Sequence, residues 1–133
     1  MKRVIASLLG LLGIADVAIA QGDSPFRFEK VQAAFEQMRK TPGFDVTRPL
    51  QWGFFFVSPD RQALQPIRSD LIREGYQFVG ERKDESGAFW LELARLEVHT
   101  PESLHKRNTE LFALAKKYKG VTYDGWDVTR STN

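Results

Sequence analysis

The sequence predicts an α+β domain in which helices cover an antiparallel sheet. Three observations lead to this prediction. After residue 50, short apolar strand patterns alternate with amphipathic helix patterns. Sixteen aromatic residues (ten Phe, three Trp and three Tyr) give a chain of 133 residues enough bulk for one core. The connections between the apolar segments contain Gly, Pro and Asp, which suit turns and helix ends.

The first twenty residues have the pattern of an export signal. Lys2 and Arg3 form a positive start, residues 4–14 are almost wholly apolar, and a small-x-small cleavage site ends at Ala20. Because Asp16 interrupts an apolar run shorter than the ~20 residues of a spanning helix, an uncleaved anchor is the weaker alternative. We therefore predict a signal peptide over residues 1–20, cleaved after Ala20, and a periplasmic or secreted protein with no stable membrane anchor. Cleavage would lower the net charge from +2 to +1.

One helix is predicted within residues 21–43, before the sheet begins. Ser24 suits the N-cap and Pro25 the first helical position, and residues 40–43 end the helix. Apolar side chains recur at spacings of three and four residues, at Phe28, Val31, Phe35 and Met38. We expect this stripe to be core and to cover part of the sheet face opposite the other helices. A partner-binding helix is the alternative.

The strand over residues 51–57 is the most hydrophobic segment of the mature chain. Apolar side chains occupy both of its faces, with Trp52, Phe54 and Phe56 on one side and Phe55 and Val57 on the other. This pattern predicts a central strand that is covered on two sides.

The next helix is predicted to begin at Ser58-Pro59-Asp60 and to end at Gly75. Pro66 inside this helix should kink it or delay its regular start. Its sheet-facing residues are predicted to be Leu64, Ile67, Leu71 and Ile72.

Two strands, residues 76–83 and 88–98, follow as a hairpin with a Gly-containing loop. Thr100-Pro101 opens the last helix, which closes at Lys119-Gly120 before a final strand. The buried stripe of this helix is predicted to be Leu104, Leu111, Phe112, Ala115 and Tyr118. The order βαββαβ predicts a ferredoxin-like sheet over residues 44–130, with the N-terminal helix as an addition.

The final strand contains Tyr123-Asp124-Gly125-Trp126. Asp-Gly tolerates a positive φ, so the pair predicts a β-bulge within this strand. Tyr123 and Trp126 then lie on opposite faces, or on one face if Gly125 is the extra residue. A structural bulge held by a buried Trp126 is favoured over a ligand contact.

The same residues carry a resemblance to a known family. Four segments carry it: Tyr123-Asp124-Gly125-Trp126 after a helix and Gly120, the aromatic strand Trp52-Gly53-Phe54-Phe55-Phe56, a helix closing at Gly75-Tyr76, and Phe89-Trp90-Leu91. Together they resemble the ribonuclease E inhibitor RraB domain family. The resemblance covers roughly residues 43–129. It implies a non-enzymatic domain that binds endoribonuclease E and lowers its activity. Because that enzyme is cytoplasmic, the export signal conflicts with this particular partner.

Little catalytic chemistry can be assembled from the sequence. The absence of Cys excludes disulfides, thiolate nucleophiles and thiolate metal sites, and also a lipid-modified N-terminal cysteine. His99 and His105 lack the spacing of a metal pair, and Ser58, Ser86 and Ser103 occupy turn or cap positions. No Gly-rich phosphate loop is present, and a net charge of +2 does not favour nucleic acid. We predict no metal and no cofactor.

These observations predict an exported, non-enzymatic RraB-like regulator or inhibitor that binds a protein, for example a periplasmic immunity-type protein. The predicted contact surface combines the end of the last strand with the basic last helix, at Tyr123, Asp124, Asp127, Lys116, Lys117 and Lys119. A cytoplasmic inhibitor of ribonuclease E is one alternative. The other is a small periplasmic hydrolase or ligand-binding protein with a cleft beside Asp124 and Asp127.

Overall fold

The computed structural model describes residues 25–130 and the backbone of residues 3–5. In chain order the elements are β1 (Arg3–Ile5), α1 (Phe28–Arg39), β2 (Leu50–Ser58), α2 (Arg61–Arg73), β3 (Gln77–Lys83), β4 (Phe89–Glu97), α3 (Pro101–Lys116) and β5 (Thr122–Thr129). None of the helices in this described part is long and apolar enough to cross a membrane.

The sheet has the strand order β1-β5-β2-β4-β3, and each neighbouring pair is antiparallel. The predicted α+β class and the ferredoxin-like arrangement with an extra N-terminal helix are thereby confirmed. Strand β2 is central, as its apolar composition predicted. Its nine residues pair with β4 over their whole length, so β2 fixes the register of the sheet.

The two faces of β2 have different surroundings. Trp52, Phe54 and Phe56 have no exposed surface and belong to the core beneath the helices. Phe55 and Val57 alternate with them on the other side of the strand and are only half-buried. We call that other side the second face. The prediction that β2 is covered on two sides therefore holds only in part, because Phe55 and Val57 keep some exposed surface.

All three helices lie on the same face of the sheet, including α1. The ring of Phe35 in α1 stacks on Trp52 with centroids 5.8 Å apart, and Phe28 makes an edge contact with His105 of α3. The α1 stripe is core as predicted, but the expectation that α1 covers the opposite face is wrong. The large Trp52 ring near the start of β2 offers α1 an apolar surface beside α3, and α1 packs there.

The N-termini of α1 and α2 differ from the prediction, in which a serine caps the helix and the proline after it begins the first turn. Helix α1 begins at Phe28, three residues after Pro25, and its N-cap residue Arg27 makes no side-chain cap. Helix α2 is capped by Asp60, whose carboxylate accepts the Gln62 N–H at 3.0 Å. The Ser58 hydroxyl instead accepts a hydrogen bond from the N–H of Asp60. An Asp at this position competes well because its carboxylate reaches the first free amides of the helix.

The rest of α2 also departs in part from expectation. The helix runs from Arg61 through Pro66 without a delayed start. Its buried residues include Leu64, Ile67 and Leu71, as predicted, whereas Ile72 is 43% exposed. Gly75 follows the helix at φ +99°, and Gly120 follows α3 at φ +83°, so both predicted glycine stops are present.

The predicted bulge is present in β5. Phe55 of β2 pairs with Gly125 and Phe56 pairs with Tyr123, so Asp124 is the residue without a partner in the register. Gly125 has a φ of +141°, a backbone conformation that side chains disfavour. The extra residue brings Tyr123 and Trp126 to the same face of the sheet, where both are buried.

Most of the predicted signal peptide lies outside the described residues. The exception is Arg3–Ile5, whose backbone pairs with β5 so that Val4 lies opposite Val128. The predicted cleavage after Ala20 would remove this strand and leave β5 at the edge of a four-stranded sheet. The cleavage itself stays a prediction.

Candidate partner-binding surface

The aromatic residues of the bulge motif are core residues. Tyr123 is 2% exposed, packs against Phe26 and Phe56, and donates a hydrogen bond of 2.6 Å from its hydroxyl to Asn108 Oδ1. Burial raises the pKa of Tyr123 well above its usual value. Trp126 packs against Trp52 with centroids 5.6 Å apart. Tyr123 therefore contributes to the fold from the inside and offers no exposed handle to a partner in this structure.

The two predicted acidic residues have separate surroundings. Asp124 is half-buried in the bulge, and its burial raises the pKa of its carboxyl group. Asp127 is 2% exposed and lies opposite Gly53. A Cβ added to Gly53 would stand 2.5 Å from Asp127 Oδ1 and 2.9 Å from Glu92 Oε2. The carboxylates of Asp127 and Glu92 thus both lie beside Gly53. The sequence prediction did not include Glu92.

The three predicted lysines are exposed around the end of α3. Lys116 and Lys117 occupy the last turn and the C-cap of the helix, and Lys119 follows in the turn that leads into β5. Lys116 Nζ lies 5.2 Å from the centre of the Phe112 ring. None of these lysines pairs with a carboxylate within the described part of the chain, whereas Lys106 pairs with Glu110. These three charges are available to a partner.

A groove of about 170 Å³ lies on the second face at β3 and β4. The half-buried rings of Phe55 and Trp90 contact each other edge to face with centroids 6.5 Å apart. Val79 adds a side chain that is 48% exposed, because β3 shifts register between Phe78 and Gly80. We call this site the aromatic groove. Sequence reasoning assigned Phe55 to a covered face and named Trp90 only as part of the β4 strand.

Neighbouring polar groups hold Trp90 in place. The indole Nε1–H donates a 2.7 Å hydrogen bond to Asp84 Oδ2, and the Arg82 guanidinium lies 4.8 Å from the ring centre. Hydrogen bonds from Ser86 and then Trp90 lower the pKa of Asp84 far below its usual value. The carboxylate of Asp84 also accepts the N–H groups of Ser86 and Ala88 in the hairpin loop. The β3–β4 loop thus fixes the orientation of an aromatic side chain that is still partly exposed.

The aromatic groove and the three lysines lie at the same end of the sheet. Val57 pairs with Trp90 on one side and with Thr122 on the other. Thr122 is three residues from Lys119, and Gly120 lies near Ser58 and Pro59 at the end of β2. The aromatic groove, whose lining also includes Glu81, Arg82 and Glu92, and the cationic end of α3 therefore occur at one end of the sheet.

A buried polar cluster joins β4 to α3, and the sequence prediction missed it. Arg107 forms two hydrogen bonds to the Glu97 carboxylate, at 2.7 and 3.2 Å. Burial alone would raise the pKa of Glu97, but hydrogen bonds from His99 and Arg107 and the charge of Arg107 outweigh it and lower the pKa to about 2. The Glu97-x-His99 alternation before a helix carrying Arg107 was the available signal, but nothing in the sequence fixes their contact.

His99 lies between Glu97 and Ser103. Its Nε2 is 2.8 Å from Glu97 Oε2 and its Nδ1 is 2.7 Å from Ser103 Oγ. Since a carboxylate only accepts, Nε2–H donates to Glu97. The Ser103 hydroxyl lies 2.7 Å from Nδ1 and 3.3 Å from the Thr100 carbonyl oxygen, and both contacts are within hydrogen-bond distance. Ser103 Oγ also accepts the Thr100 N–H in a capping box at the start of α3. The connectivity is that of a serine, a base and an acid, placed within a helix cap.

No cluster of three or more potential metal ligands occurs among the residues that the structure describes. His105 packs against Phe28, and its Nδ1 is buried. The ring fills space between α1 and α3. The two histidines thus serve separate contacts, His99 with Glu97 and Ser103, and His105 with α1.

Comparison with known proteins identifies the family. The model of the RraB family, described as regulator of ribonuclease activity B, matches residues 29–128 and so takes in α1 through most of β5. A comparison with curated proteins finds no match. RraB domains are regulatory domains that bind proteins. With three quarters of its length matched, the chain belongs to the RraB family.

Proposed function

We propose that this chain is a protein-binding regulator that acts after export and catalyses no reaction of its own. The observation that carries the proposal is the pairing of the aromatic groove with the cationic end of α3 at one end of the sheet. Aromatic side chains that are held in place and partly exposed are the groups that dominate binding energy at protein interfaces. Cationic side chains at the margin mainly raise the association rate.

The size of the aromatic groove supports a protein partner. At about 170 Å³ it is smaller than the ~300–1,000 Å³ of typical small-molecule sites. Such a groove accommodates one side chain of a partner, while Val79 and the rings of Phe55 and Trp90 extend the contact across the second face. An acidic or mixed surface with a protruding apolar side chain is the complement that this end of the molecule would fit.

The export pattern of residues 1–20 supports a target outside the cytoplasm. A periplasmic toxin or hydrolase that the chain blocks is the concrete form of this proposal. Expressed in a Gram-negative host, the protein should accumulate in the periplasmic fraction with Gln21 as its first residue. Recovery from the cytoplasm with Met1 intact would contradict export and favour direct inhibition of ribonuclease E instead.

The chain of Glu97, His99 and Ser103 is the one observation that favours the hydrolase alternative. Two observations oppose it. The double hydrogen bond from Arg107 compensates the charge of Glu97, which reduces its ability to polarise His99. Neither the aromatic groove nor the larger groove near Arg130 is lined by Ser103. We interpret these hydrogen bonds as a structural link between β4 and α3.

A fluorophosphonate probe separates the two functions. An activated serine reacts with such a probe, whereas a serine in a helix cap does not. We expect no labelling of the mature protein at neutral pH. Labelling that disappears in Ser103→Ala and in His99→Gln would establish a nucleophile and overturn the non-enzymatic proposal. Binding to a protein target would be tested in parallel by retention from periplasmic extract on the immobilised mature protein.

A further inference from the structure

A second groove, larger than the first, lies at the opposite end of the sheet. It has a volume of about 550 Å³, and its lining includes Arg48, Arg130, Leu50 and Leu96. Leu96 lies opposite Gln51, which pairs with Thr129 at the far end of β5 from Thr122. The groove is therefore separate from the aromatic groove and from the lysines of α3. Neither the family match nor the proposed function assigns it a role.

Two guanidinium groups line this groove, and within the described residues neither lies within ion-pair distance of a carboxylate. Arg48 and Arg130 are both exposed, and neither takes part in an ion pair within the described residues. Other arginines of the molecule pair with acids: Arg61 with Glu81, Arg73 with Asp70, and Arg107 with Glu97. A guanidinium prefers a planar anion that can accept two of its hydrogen bonds. The groove offers two such groups.

Arg130 lies close to the backbone of Gly43. Gly43 has a φ of +92°, and a Cβ added there would meet Arg130 Nη1 and stand 2.9 Å from its Cδ. The arginine side chain thus lies directly on the Gly43 backbone, in space that any other residue would fill. This contact brings the loop before β2 together with the residue after β5 at the groove.

One acid, Asp45, also lines the groove and limits the charge of a ligand. Its carboxylate accepts the hydroxyl and the N–H of Thr47. These hydrogen bonds, with a smaller contribution from the charge of Arg48, lower the pKa of Asp45, so that it stays ionised. Two guanidinium groups and one carboxylate leave a net charge of +1, which suits a monoanion better than a dianion.

The remaining wall is apolar. Leu50 is buried beneath the groove, while Leu96 is 54% exposed, the largest value among the exposed large hydrophobic residues of the described chain. Pro49 completes this wall. An exposed leucine next to paired cations favours a ligand with a hydrocarbon part joined to its anion.

We propose that this groove binds a carboxylate attached to an apolar group, with Arg48 and Arg130 on the carboxylate and Leu96 on the hydrocarbon. The carboxylate is either the free C-terminus of an apolar peptide or that of a small aliphatic acid, since both present the same chemistry. The inference does not depend on the proposed function, because the two sites lie at opposite ends of the sheet.

Titration of the mature protein with two matched pairs of probes tests this site. The probes are acetyl-Leu-Leu with a free carboxylate against its amide, and octanoate against octanol. Binding is followed through the amide resonances of Gly43 and Leu96. We expect saturable shifts with at least one carboxylate and at least tenfold weaker binding of its uncharged counterpart. Whichever carboxylate binds more tightly identifies the source of the ligand.

Variants and a competing anion complete the test. Arg130→Gln and Arg48→Gln should each weaken binding about tenfold, and Leu96→Ser should weaken it less. Arg27→Gln, an exposed arginine at the start of α1, is the matched control and should bind as the wild type does. Equal binding of carboxylate and uncharged probe, tighter binding of inorganic phosphate, or unchanged binding by Arg130→Gln would each overturn the proposal. So would failure of both carboxylates to bind.

Discussion

The two faces of the sheet use the same kinds of residue for different purposes. On the helix face, Trp52, Phe54 and Trp126 are almost fully buried and hold the three helices to the sheet. On the second face, Phe55 and Trp90 are only half-buried and line the aromatic groove. Because successive residues of a strand point to opposite sides, β2 supplies both faces from one continuous apolar run. An aromatic residue in this sequence therefore either packs in the core or lines the aromatic groove, and only its burial in the structure distinguishes these two roles.

Neighbouring residues of β2 give the clearest comparison between the helix face and the second face. Phe54→Ala should lower the free energy of unfolding by ~3–5 kcal/mol, because it opens a cavity in a packed core. Phe55→Ala removes a half-buried ring and should cost about 1–2 kcal/mol. Denaturant melts of both variants measure the difference. Equal losses would show that the second face is as tightly packed as the helix face, and the division into two roles would fail.

The bulge in β5 comes next in expected effect. Gly125→Val places a β-branched side chain at φ +141° and should cost ~1–3 kcal/mol in a denaturant melt. Thr122→Val, an exposed position of the same strand, serves as the control and should change stability by less than about 0.5 kcal/mol. If Gly125→Val were as stable as the control, the positive φ would not be required for the fold.

The polar cluster on the helix face should make stability depend on pH. The pKa of Glu97 is lowered to about 2 in the folded protein from an ordinary value near 4.5. A lowered carboxyl pKa stabilises the fold above the unfolded value, and this stabilisation is lost as pH falls from about 4.5 towards 2. Glu97→Gln should show a flatter pH dependence in this window and be less stable at pH 7. Parallel curves for variant and wild type would exclude this role.

The smallest expected effects concern the charges at the margin of the interface. Reversing Lys116 and Lys117 to Glu should leave the melt unchanged and weaken partner capture several-fold at low salt, and less at high salt where charges are screened. The double variant Lys30→Glu in α1 and Lys40→Glu at its C-cap carries the same charge change and is the control. Capture that survives the α3 reversal but is lost in this α1 double variant, with the melt unchanged, would place the interface on α1.

The sequence was informative wherever periodicity and turn chemistry act locally. Strand order, the Gly stops after α2 and α3 and the Asp124-Gly125 bulge follow from alternation, helical spacing and positive φ. The side of the sheet that α1 covers could not be predicted, because an amphipathic stripe shows that a helix packs but not where. The contacts of Arg107 with Glu97 and of Arg130 with Gly43 join residues distant in sequence and have no local signal.

The candidate site shows the same limit. The exposed lysines were correctly expected at the end of α3, since cations near a helix C-terminus face solvent and complement its dipole. Tyr123 was chosen as a polar handle, but the bulge turns its ring into the core. Phe55 and Trp90 were visible in the sequence, and only the placement of all three helices on one face leaves them partly exposed.

We propose that the second face binds a protein while the helix face holds the fold. The most direct measurement is the affinity of the mature protein for the target identified from periplasmic extract, compared between wild type and Val79→Ser. Val79 is 48% exposed at the margin of the aromatic groove, so this variant should keep the wild-type melt. We predict binding at least tenfold weaker than wild type. Unchanged affinity in Val79→Ser, with Phe55→Ala also binding normally, would contradict the claim.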